Sequence, residues 1–288
     1  MQFFKILRFN QWLKNLVIFT AFFTAGNLNL IDFVTLIKVF ISFSLIVSST
    51  YILNDLLDIK SDQNHPIKKN RPIASGLIDL NTAKFLMIAT FTIGKILIFI
   101  ISKDLLIYTT LYVFLTVSYS LRLKFVKYFD ILTISILFVF RILLGAKAIG
   151  VPTSTSLILF IFFVCLAIAI GKKNSILIDL EITNSKVKNF LNDNYTVKEL
   201  NSLLNITSKF SLITFSYWAL IIKSNLTINL TLIFYLVAIY FLYSFFQKFS
   251  LKTYIAKTEE IIKAVMEDNK LLFDIVLFLS FSLMGIFF

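Results

Sequence analysis

An acidic cluster follows the second long apolar run of the chain, in the stretch NDLLDIKSD. Its carboxylates, Asp55, Asp58 and Asp62, are spaced i, i+3 and i+7, which on an α-helix places them within an arc of roughly 60°. Carboxylates gathered at the end of an apolar helix are costly unless a cation neutralises them. Oxygen ligands suit Mg²⁺, which keeps several waters and binds readily through substrate phosphates. The spacing therefore predicts a site for Mg²⁺ and a diphosphate.

A basic loop comes directly after the acids. It contains Lys68, Lys69 and Arg71, and such side chains hold phosphate oxygens through charge-assisted hydrogen bonds. His65, the only histidine, lies between the acids and the bases, and spacing alone gives it no role. The alternative is a solvated loop that merely follows the positive-inside rule, which explains the bases but not three acids on one face.

A second polar group precedes the fifth apolar run. Its members are Tyr119, Arg122, Lys124, Lys127 and Asp130. This group is equally well explained by a capped helix with snorkelling basic side chains. Arg141 differs, because a charge three turns into a span normally faces the interior and a partner, either an acid or a bound phosphate. Asp179 and Glu181, at the end of the sixth run, are interpreted as structural.

The N-terminal stretch RFNQWLKN carries Arg8, Trp12 and Lys14. One interpretation is an interfacial amphipathic helix whose tryptophan lies at the lipid headgroups. The other is that Lys14 reaches a lipid phosphate at the membrane surface. Bases before an apolar run also occur in signal peptides, but no small-residue cleavage site follows, so we predict a retained first span.

The composition of the chain indicates the fold that positions these polar side chains. Hydrophobic residues make up 58% of the 288-residue chain, far more than in soluble domains. With 33 Phe but only 7 Gly and 3 Pro, long helices are favoured over an outer-membrane barrel. We predict an all-α polytopic membrane protein that forms one integral membrane domain over residues 1–288. Its nine spans are predicted at 16–35, 37–57, 84–102, 104–121, 130–150, 156–178, 209–223, 226–247 and 271–288.

The basic residues predict the orientation of these spans. If the N-terminus is cytoplasmic, 22 of the 28 Lys and Arg lie on the cytoplasmic face. The opposite face receives Lys38, Lys95, Lys103, Lys147 and Lys223. The positive-inside rule then places the N-terminus and all long polar loops in the cytoplasm and the C-terminus outside an inner (plasma) membrane.

The net charge of +12 is scattered between apolar segments rather than gathered on one face. Nucleic acid is therefore not the expected partner, whereas anionic lipids and phosphorylated substrates are. The single Cys165 excludes an intrachain disulfide framework. The sequence does not decide between a monomer and a homo-oligomer, and we find no internal repeat.

The acidic stretch resembles the first aspartate motif, N-D-x-x-D-x-x-x-D, of the UbiA superfamily of intramembrane prenyltransferases. The continuation H-P-x-K-x-x-R-P-I-A-S-G at 65–76 is similar to its decaprenyl-phosphate phosphoribosyltransferase branch, and so is Q-W-x-K-N at 11–15. Looser matches are YSLRLK at 119–124, Asp130, FRILLG at 140–145, GKK at 171–173 and EDNKLLFD at 267–274. In two places the chain departs from the branch: residues 125–127 replace the usual H-V-P, and 174–177 lack an acid expected after GKK.

The resemblance implies a nine-helix, Mg²⁺-dependent enzyme that moves 5-phosphoribosyl from 5-phosphoribosyl 1-diphosphate to a polyprenyl phosphate and releases diphosphate. It also implies that the lipid product is used in cell-wall biosynthesis. It assigns Asp55, Asp58 and Asp62 to the metal, with Asn54 beside them. The residues implied for the donor phosphates are His65, Lys68, Lys69 and Arg71. Those implied for the acceptor phosphate are Lys14, Arg122, Lys124, Arg141 and Asp130, of which Asp130 would orient neighbouring groups.

Two other functions fit parts of the pattern. An aromatic or quinone prenyltransferase would hold a polyprenyl diphosphate in the same acidic site, but the basic loop suits a donor with a second phosphate. A transporter would be expected to show repeats and broken helices with Gly or Pro near the membrane midplane. Here the charges gather instead at one surface, and Gly is scarce.

Overall fold

The computed structural model describes residues 5–26, 28–64, 68–182, 194–224, 229–254 and 267–287. Every regular element in this part of the chain is helical, as predicted. Six of these helices are long and apolar enough to cross a membrane: Leu30–Leu57, Leu80–Ile101, Phe129–Ala148, Thr155–Ile178, Leu230–Thr253 and Asn269–Phe287. Leu105–Leu121 is also apolar but shorter. The protein is therefore a multi-pass membrane protein.

The first helices differ from the prediction. The chain forms a 3₁₀ helix, Phe9–Phe19, then α1, Thr20–Ala25, and then α2, Leu30–Leu57. Gly26 follows α1 with a φ of 75°, a left-handed conformation that glycine adopts without strain. Asn29 caps α2, because its side-chain oxygen accepts from the backbone N–H of Ile31 at 2.7 Å. The predicted continuous span over 16–35 is wrong, because the chain turns at Gly26 and a new helix begins after Asn29. Hydropathy does not detect such a turn or cap.

The remaining helices follow in chain order. They are α3, Ile59–Gln63; α4, Leu80–Ile101; α5, Leu105–Leu121; α6, Phe129–Ala148; α7, Thr155–Ile182; α8, Val197–Ser216; α9, Leu230–Tyr254; and α10, Asn269–Phe287. A π-helical segment, Tyr217–Lys223, continues α8. The predicted span at 209–223 therefore begins too late, because α8 starts with mixed polar and apolar residues after its cap, Thr196.

The chain divides into two compact units. The first unit comprises Met1–Lys124 and Phe140–Pro152, and the second comprises Phe125–Val139 and Thr153–Phe288. Helix α6 contributes its first half to the second unit and its last residues to the first. Each unit contains its own buried acidic residues.

In the first unit, an apolar anchor fixes the basic loop. Ile73 and Ile78, from the loop, are buried with Ile6, Ile52 and Ala83, from the N-terminal segment, α2 and α4. The loop itself folds into consecutive turns, in which Gly76 has a φ of 75°. Burial of these side chains ties the loop to the end of α2, and so places Arg71 beside the acidic stretch.

The last residues of α6 also pack closely within the first unit. A Cβ atom at Gly145 would collide with the backbone carbonyl of Ile18 in the 3₁₀ helix. Only glycine permits this approach of two backbones, which gives the glycine of FRILLG a packing role.

The second unit has a core rich in aromatic side chains. Phe160, Phe215, Trp218 and Tyr235 are all buried there. The rings of Phe160 and Phe215 lie 4.9 Å apart, and those of Trp218 and Tyr235 lie 6.0 Å apart in an edge-on arrangement. Such ring pairs add to the stabilisation from burial itself, so many of the phenylalanines serve ordinary packing.

Candidate active site

The three aspartates do not lie on one uninterrupted helix. Helix α2 ends at Leu57, and Asp58 has a φ of −97° and a ψ of 8°, outside the helical range. Helix α3 begins at the next residue. The predicted continuous helix is therefore wrong, and the interruption directs Asp58 to a different partner from those of Asp55 and Asp62.

Asp55 and Asp62 meet at one guanidinium group. Nη1 of Arg71 donates to Oδ1 of Asp55 at 3.1 Å and to Oδ2 of Asp62 at 2.6 Å. Both carboxylates are buried, with side-chain exposures of 3% and 4%. Arg8 also forms an ion pair with Asp55. Buried carboxylates need such partners, since an uncompensated charge would be strongly destabilising.

Asp58 lies beside two other groups. Nζ of Lys124 donates to both of its carboxylate oxygens, at 2.7 and 3.0 Å. Asn54 donates to Oδ2 at 3.1 Å, which fixes the orientation of the carboxylate. The structure thus brings Asp55, Asp58 and Asp62 together with Arg8, Arg71 and Lys124; we call these six residues the acid–base cluster.

Arg8 was not assigned to the site from the sequence, although it stands in the N-terminal motif. Its backbone has a φ of 52°, and its guanidinium lies over the ring of Tyr51, 5.2 Å from the centroid. Charge balance does not indicate it, because the sequence next to the acids already supplies Lys60, Lys68, Lys69 and Arg71.

The other candidate residues of the first unit lie elsewhere. Lys68 and Lys69 occupy an exposed 3₁₀ turn, Lys68–Asn70, and Arg122 is also exposed. Lys14 is half-buried in the 3₁₀ helix, while Trp12 donates to the Ser48 hydroxyl at 3.0 Å. His65 lies outside the described residues.

Arg141 is buried within the first unit, with 4% exposure. Its Nε donates to Oδ1 of Asn15 at 2.9 Å, and its Nη2 donates to the Tyr112 hydroxyl at 2.9 Å. The guanidinium also lies over the Tyr112 ring, 5.2 Å from the centroid. The sequence predicted an acid or a phosphate as its partner, whereas these partners are an amide and a phenol.

Asp130 belongs to the second unit, where it forms an ion pair with Lys173. The Tyr195 hydroxyl donates to Oδ1 of Asp130 at 2.7 Å, and the same hydroxyl accepts from the backbone N–H of Tyr128 at 2.7 Å. Burial, together with the nearby acids Asp130 and Glu199, raises the pKa of Tyr195. The phenol therefore stays protonated and serves as a donor.

Glu199 completes this second arrangement. It accepts from Lys127 at 3.1 Å and forms a hydrogen bond with the Tyr128 hydroxyl. The hydrogen bonds from Tyr128 and Lys127 lower the pKa of Glu199. We call Lys127, Tyr128, Asp130, Lys173, Tyr195 and Glu199 the tyrosine cluster. The GKK block pointed to Lys173, but no sequence signal indicated Tyr195 or Glu199.

The acid–base cluster suits a divalent cation in its donor type, since carboxylate oxygens are the ligands that Mg²⁺ prefers. Two of its oxygens, from Asp55 and Asp62, lie within 3.1 Å of a single cationic nitrogen of Arg71. In the described part of the chain, however, no three His, Cys, Asp or Glu side chains are already grouped around one metal position. Three acids face three bases, so a metal fits best together with an anionic ligand that takes over the bases.

The fold and the cluster define a helical membrane protein with a buried acid–base site at one end of its helices. The model of the UbiA prenyltransferase family matches residues 15–181. The chain therefore belongs to the UbiA prenyltransferase family.

Two relatives illustrate what the sequence is similar to. Decaprenyl-phosphate phosphoribosyltransferase of Mycolicibacterium smegmatis is 29% identical over 224 residues, which cover 75% of this chain and 69% of that protein. "Uncharacterized protein y4nM" of Sinorhizobium fredii is 35% identical over 168 residues, or 57% of this chain. That match spans only 32% of the relative's own length.

The fold is similar to that of a solved UbiA homolog from Archaeoglobus fulgidus, which was bound to DMAPP and Mg²⁺. The TM-score is 0.70 at 15% identity, and the likeness covers 99% of both chains. At 15% identity, this similarity supports a shared fold and no further property.

Proposed function

We propose that the protein transfers 5-phosphoribosyl from 5-phosphoribosyl 1-diphosphate to a polyprenyl phosphate and releases diphosphate. The observation that carries this proposal is the position of Arg71, which comes from the basic loop and bridges two buried aspartates. A loop that places a phosphate-binding side chain inside a carboxylate site supports a substrate that brings a metal and phosphates together. The similarity to the Mycolicibacterium smegmatis phosphoribosyltransferase supports the same substrates.

Mg²⁺ held by Asp55, Asp58 and Asp62 would stabilise the negative charge that accumulates on the departing diphosphate. Side chains of the protein bind and orient the donor. Arg8, Arg71 and Lys124 neutralise the acids before the donor binds, and they turn to its phosphate oxygens when it arrives. Asn54 keeps Asp58 oriented during this exchange. Lys68, Lys69 and His65, next to Arg71 in sequence, are proposed to hold the second phosphate of the donor.

The acceptor phosphate is already an anion near neutral pH, so a strong general base is not required. Transfer breaks the C1–O bond of the ribose and builds positive charge on the sugar, as in other glycosyl transfers. Positioning of the two substrates should carry most of the catalysis. We assign the acceptor phosphate to Lys14 and Arg122, with Lys124 between the two substrates, whereas Arg141 and Asp130 are proposed to support their surroundings.

We further propose one membrane domain of nine spans, in an inner (plasma) membrane. The N-terminus and the acid–base cluster would face the cytoplasm, and the C-terminus would lie outside. The distribution of Lys and Arg along the sequence supports this orientation.

The test is a transfer assay. Detergent-purified protein is incubated with Mg²⁺, a polyprenyl phosphate and radiolabelled 5-phosphoribosyl 1-diphosphate, and label is followed into the organic phase. We expect transfer by the wild type and none above background by Asp58→Asn. A matched control is Asp79→Asn, since the Asp79 carboxylate caps α4 by accepting from the backbone N–H of Thr82 and is not one of the six cluster residues, and asparagine caps a helix equally well.

Failure of the wild type with acceptors of several lengths would overturn the proposal. If the same preparation then consumed a polyprenyl diphosphate in the presence of an aromatic acceptor, the protein would be a prenyltransferase. The basic loop would in that case bind the diphosphate of the lipid.

A further inference from the structure

One lysine lies inside a candidate membrane span without an acidic partner. Lys95 is part of α4, six residues before the last residue, Ile101, of a helix long and apolar enough to cross a membrane. Its Nζ donates to the hydroxyl of Thr109 at 3.0 Å and to that of Thr110 at 2.8 Å, both on α5. Among the described residues, no carboxylate lies within ion-pair distance of this ammonium group. A charge at such a depth is costly and generally marks a functional site.

This site is far from the acid–base cluster within the same unit. Helix α4 begins beside the end of α2, since Ala83 and Ile52 share one apolar cluster. Lys95 lies twelve residues after Ala83, which corresponds to about 18 Å of helix. Gly94 packs against Ser42 and Ile46 of α2, so Lys95 lies beside the middle of α2 and not beside its acidic end.

The polar atoms at Lys95 retain donor capacity. An ammonium group has three protons, and two are used by the threonine hydroxyls. Thr109 donates its own proton to the carbonyl of Leu106. Thr110 is exposed, and its hydroxyl accepts from Lys95 while donating to no group in the described residues. One N–H of Lys95 and the O–H of Thr110 can therefore both reach a single anionic group.

An apolar groove adjoins these donors. It has a volume of about 270 Å³ and is lined by Leu106, Ile107, Thr110 and Leu111. Ile107 and Leu111 are exposed. A positive charge at the rim of a shallow apolar groove is complementary to a ligand with an anionic head and a hydrocarbon chain.

From this geometry we propose that Lys95 and Thr110 bind the phosphate of an anionic membrane phospholipid whose acyl chain lies in the groove of α5. The hydroxyl of the buried Thr109 accepts from Lys95 and so orients its ammonium group. The phosphate accepts from Lys95 and Thr110, and thereby supplies the counter-charge that the span lacks. The charged neighbours near this end of the helices do not compete: Asp104 pairs with Lys147 at 3.0 Å, and Lys103 lies over the ring of Phe99.

The test is native mass spectrometry of the full-length protein released from nanodiscs that contain phosphatidylglycerol and phosphatidylcholine. We expect the wild type to retain phosphatidylglycerol, and Lys95→Met to retain it about tenfold less, the size of one charged hydrogen bond. The control Lys103→Met removes an exposed lysine near the same end and should behave as the wild type. Thr110→Val, which keeps the side-chain shape, should give an intermediate loss and serves if Lys95→Met fails to fold.

Equal retention by the wild type and by both groove variants would show that Lys95 only ties α4 to α5, and would overturn the proposal. Two further arms identify the source of the phosphate. Displacement of phosphatidylglycerol by millimolar inorganic phosphate, or selective retention of a polyprenyl phosphate instead, would also overturn the assignment to a phospholipid. The proposal does not depend on the transfer reaction.

Discussion

Asp55 in the first unit and Asp130 in the second are both buried carboxylates paired with a base, yet their surroundings differ. Asp55 is held by two arginines, and one of these also holds Asp62. Asp130 is held by one lysine, by a tyrosine hydroxyl and by a backbone N–H. A cation that neutralises an acid can be exchanged for a metal when a phosphate becomes available to it. Of the partners of Asp130, the lysine alone could be exchanged in this way. The protonated phenol and the backbone N–H stay bound to the carboxylate, so the tyrosine cluster is suited to hold its structure fixed.

A buried acid can be part of a binding site or of a scaffold, and its partners distinguish the two. In the acid–base cluster, three acids and three bases come from four segments of one unit. Conservative replacements in this cluster, such as Asp→Asn or Arg→Lys, should affect transfer more than stability. In the tyrosine cluster, we expect replacements to lower stability more than they lower transfer.

The largest effect is expected from removing a proposed metal ligand. Asp55→Asn and Asp62→Asn each keep the side-chain shape but remove the negative charge, so transfer should fall by roughly 100- to 1,000-fold. Initial rates at saturating Mg²⁺ and donor provide the measurement, with Asp79→Asn as the control. Rates within threefold of the wild type for both variants would exclude a role for this pair in the reaction.

A smaller effect is expected from Arg71→Lys. Lysine keeps the positive charge but cannot bridge Asp55 and Asp62 with a planar group. We expect the KM for 5-phosphoribosyl 1-diphosphate to rise by about tenfold, corresponding to one charged hydrogen bond, with a lesser change in kcat. The exposed Lys84→Arg should leave both constants unchanged. A change in kcat alone would mean that Arg71 does not bind the donor.

In the second unit, Tyr195→Phe removes the hydroxyl that joins Asp130 to the backbone of Tyr128. The protein should lose about 1–3 kcal/mol of stability, since buried groups are left without a partner, while transfer at a temperature well below unfolding changes little. Thermal unfolding in detergent measures this, and Tyr240→Phe, at a highly exposed tyrosine, is the control. A large loss of transfer without loss of stability would place Tyr195 in the reaction instead.

The smallest effect concerns Glu199, whose pKa is lowered from the ordinary 4.5 by hydrogen bonds from Tyr128 and Lys127. A carboxyl with a lowered pKa stabilises the folded state above 4.5, and this contribution is lost as the pH falls through the folded-state pKa. The difference in Tm between the wild type and Glu199→Gln should therefore be present at pH 7 and shrink below pH 4.5. A difference that is constant between pH 7 and pH 4 would contradict this.

The sequence predicted the helical membrane fold and the pairing of an acidic stretch with a basic loop, because both are local patterns. Hydropathy marks the apolar helices, and the acids lie at most sixteen positions from Arg71. It did not predict the break at Asp58 or the turn at Gly26, since these depend on backbone conformations that periodicity does not encode. Arg8 and Tyr195 were missed for a different reason: each lies more than 40 residues from the acid it contacts.

We propose that the acid–base cluster takes up Mg²⁺ and a diphosphate donor together, because its acids are neutralised by its own bases until a phosphate draws those bases away. Isothermal titration calorimetry of the purified protein tests this most directly, by adding Mg²⁺ alone, 5-phosphoribosyl 1-diphosphate alone, and both. We predict that heat of binding appears only when both are present, and that Asp55→Asn abolishes it. Tight binding of Mg²⁺ without the donor, or undiminished binding of both ligands by Asp55→Asn, would contradict the account.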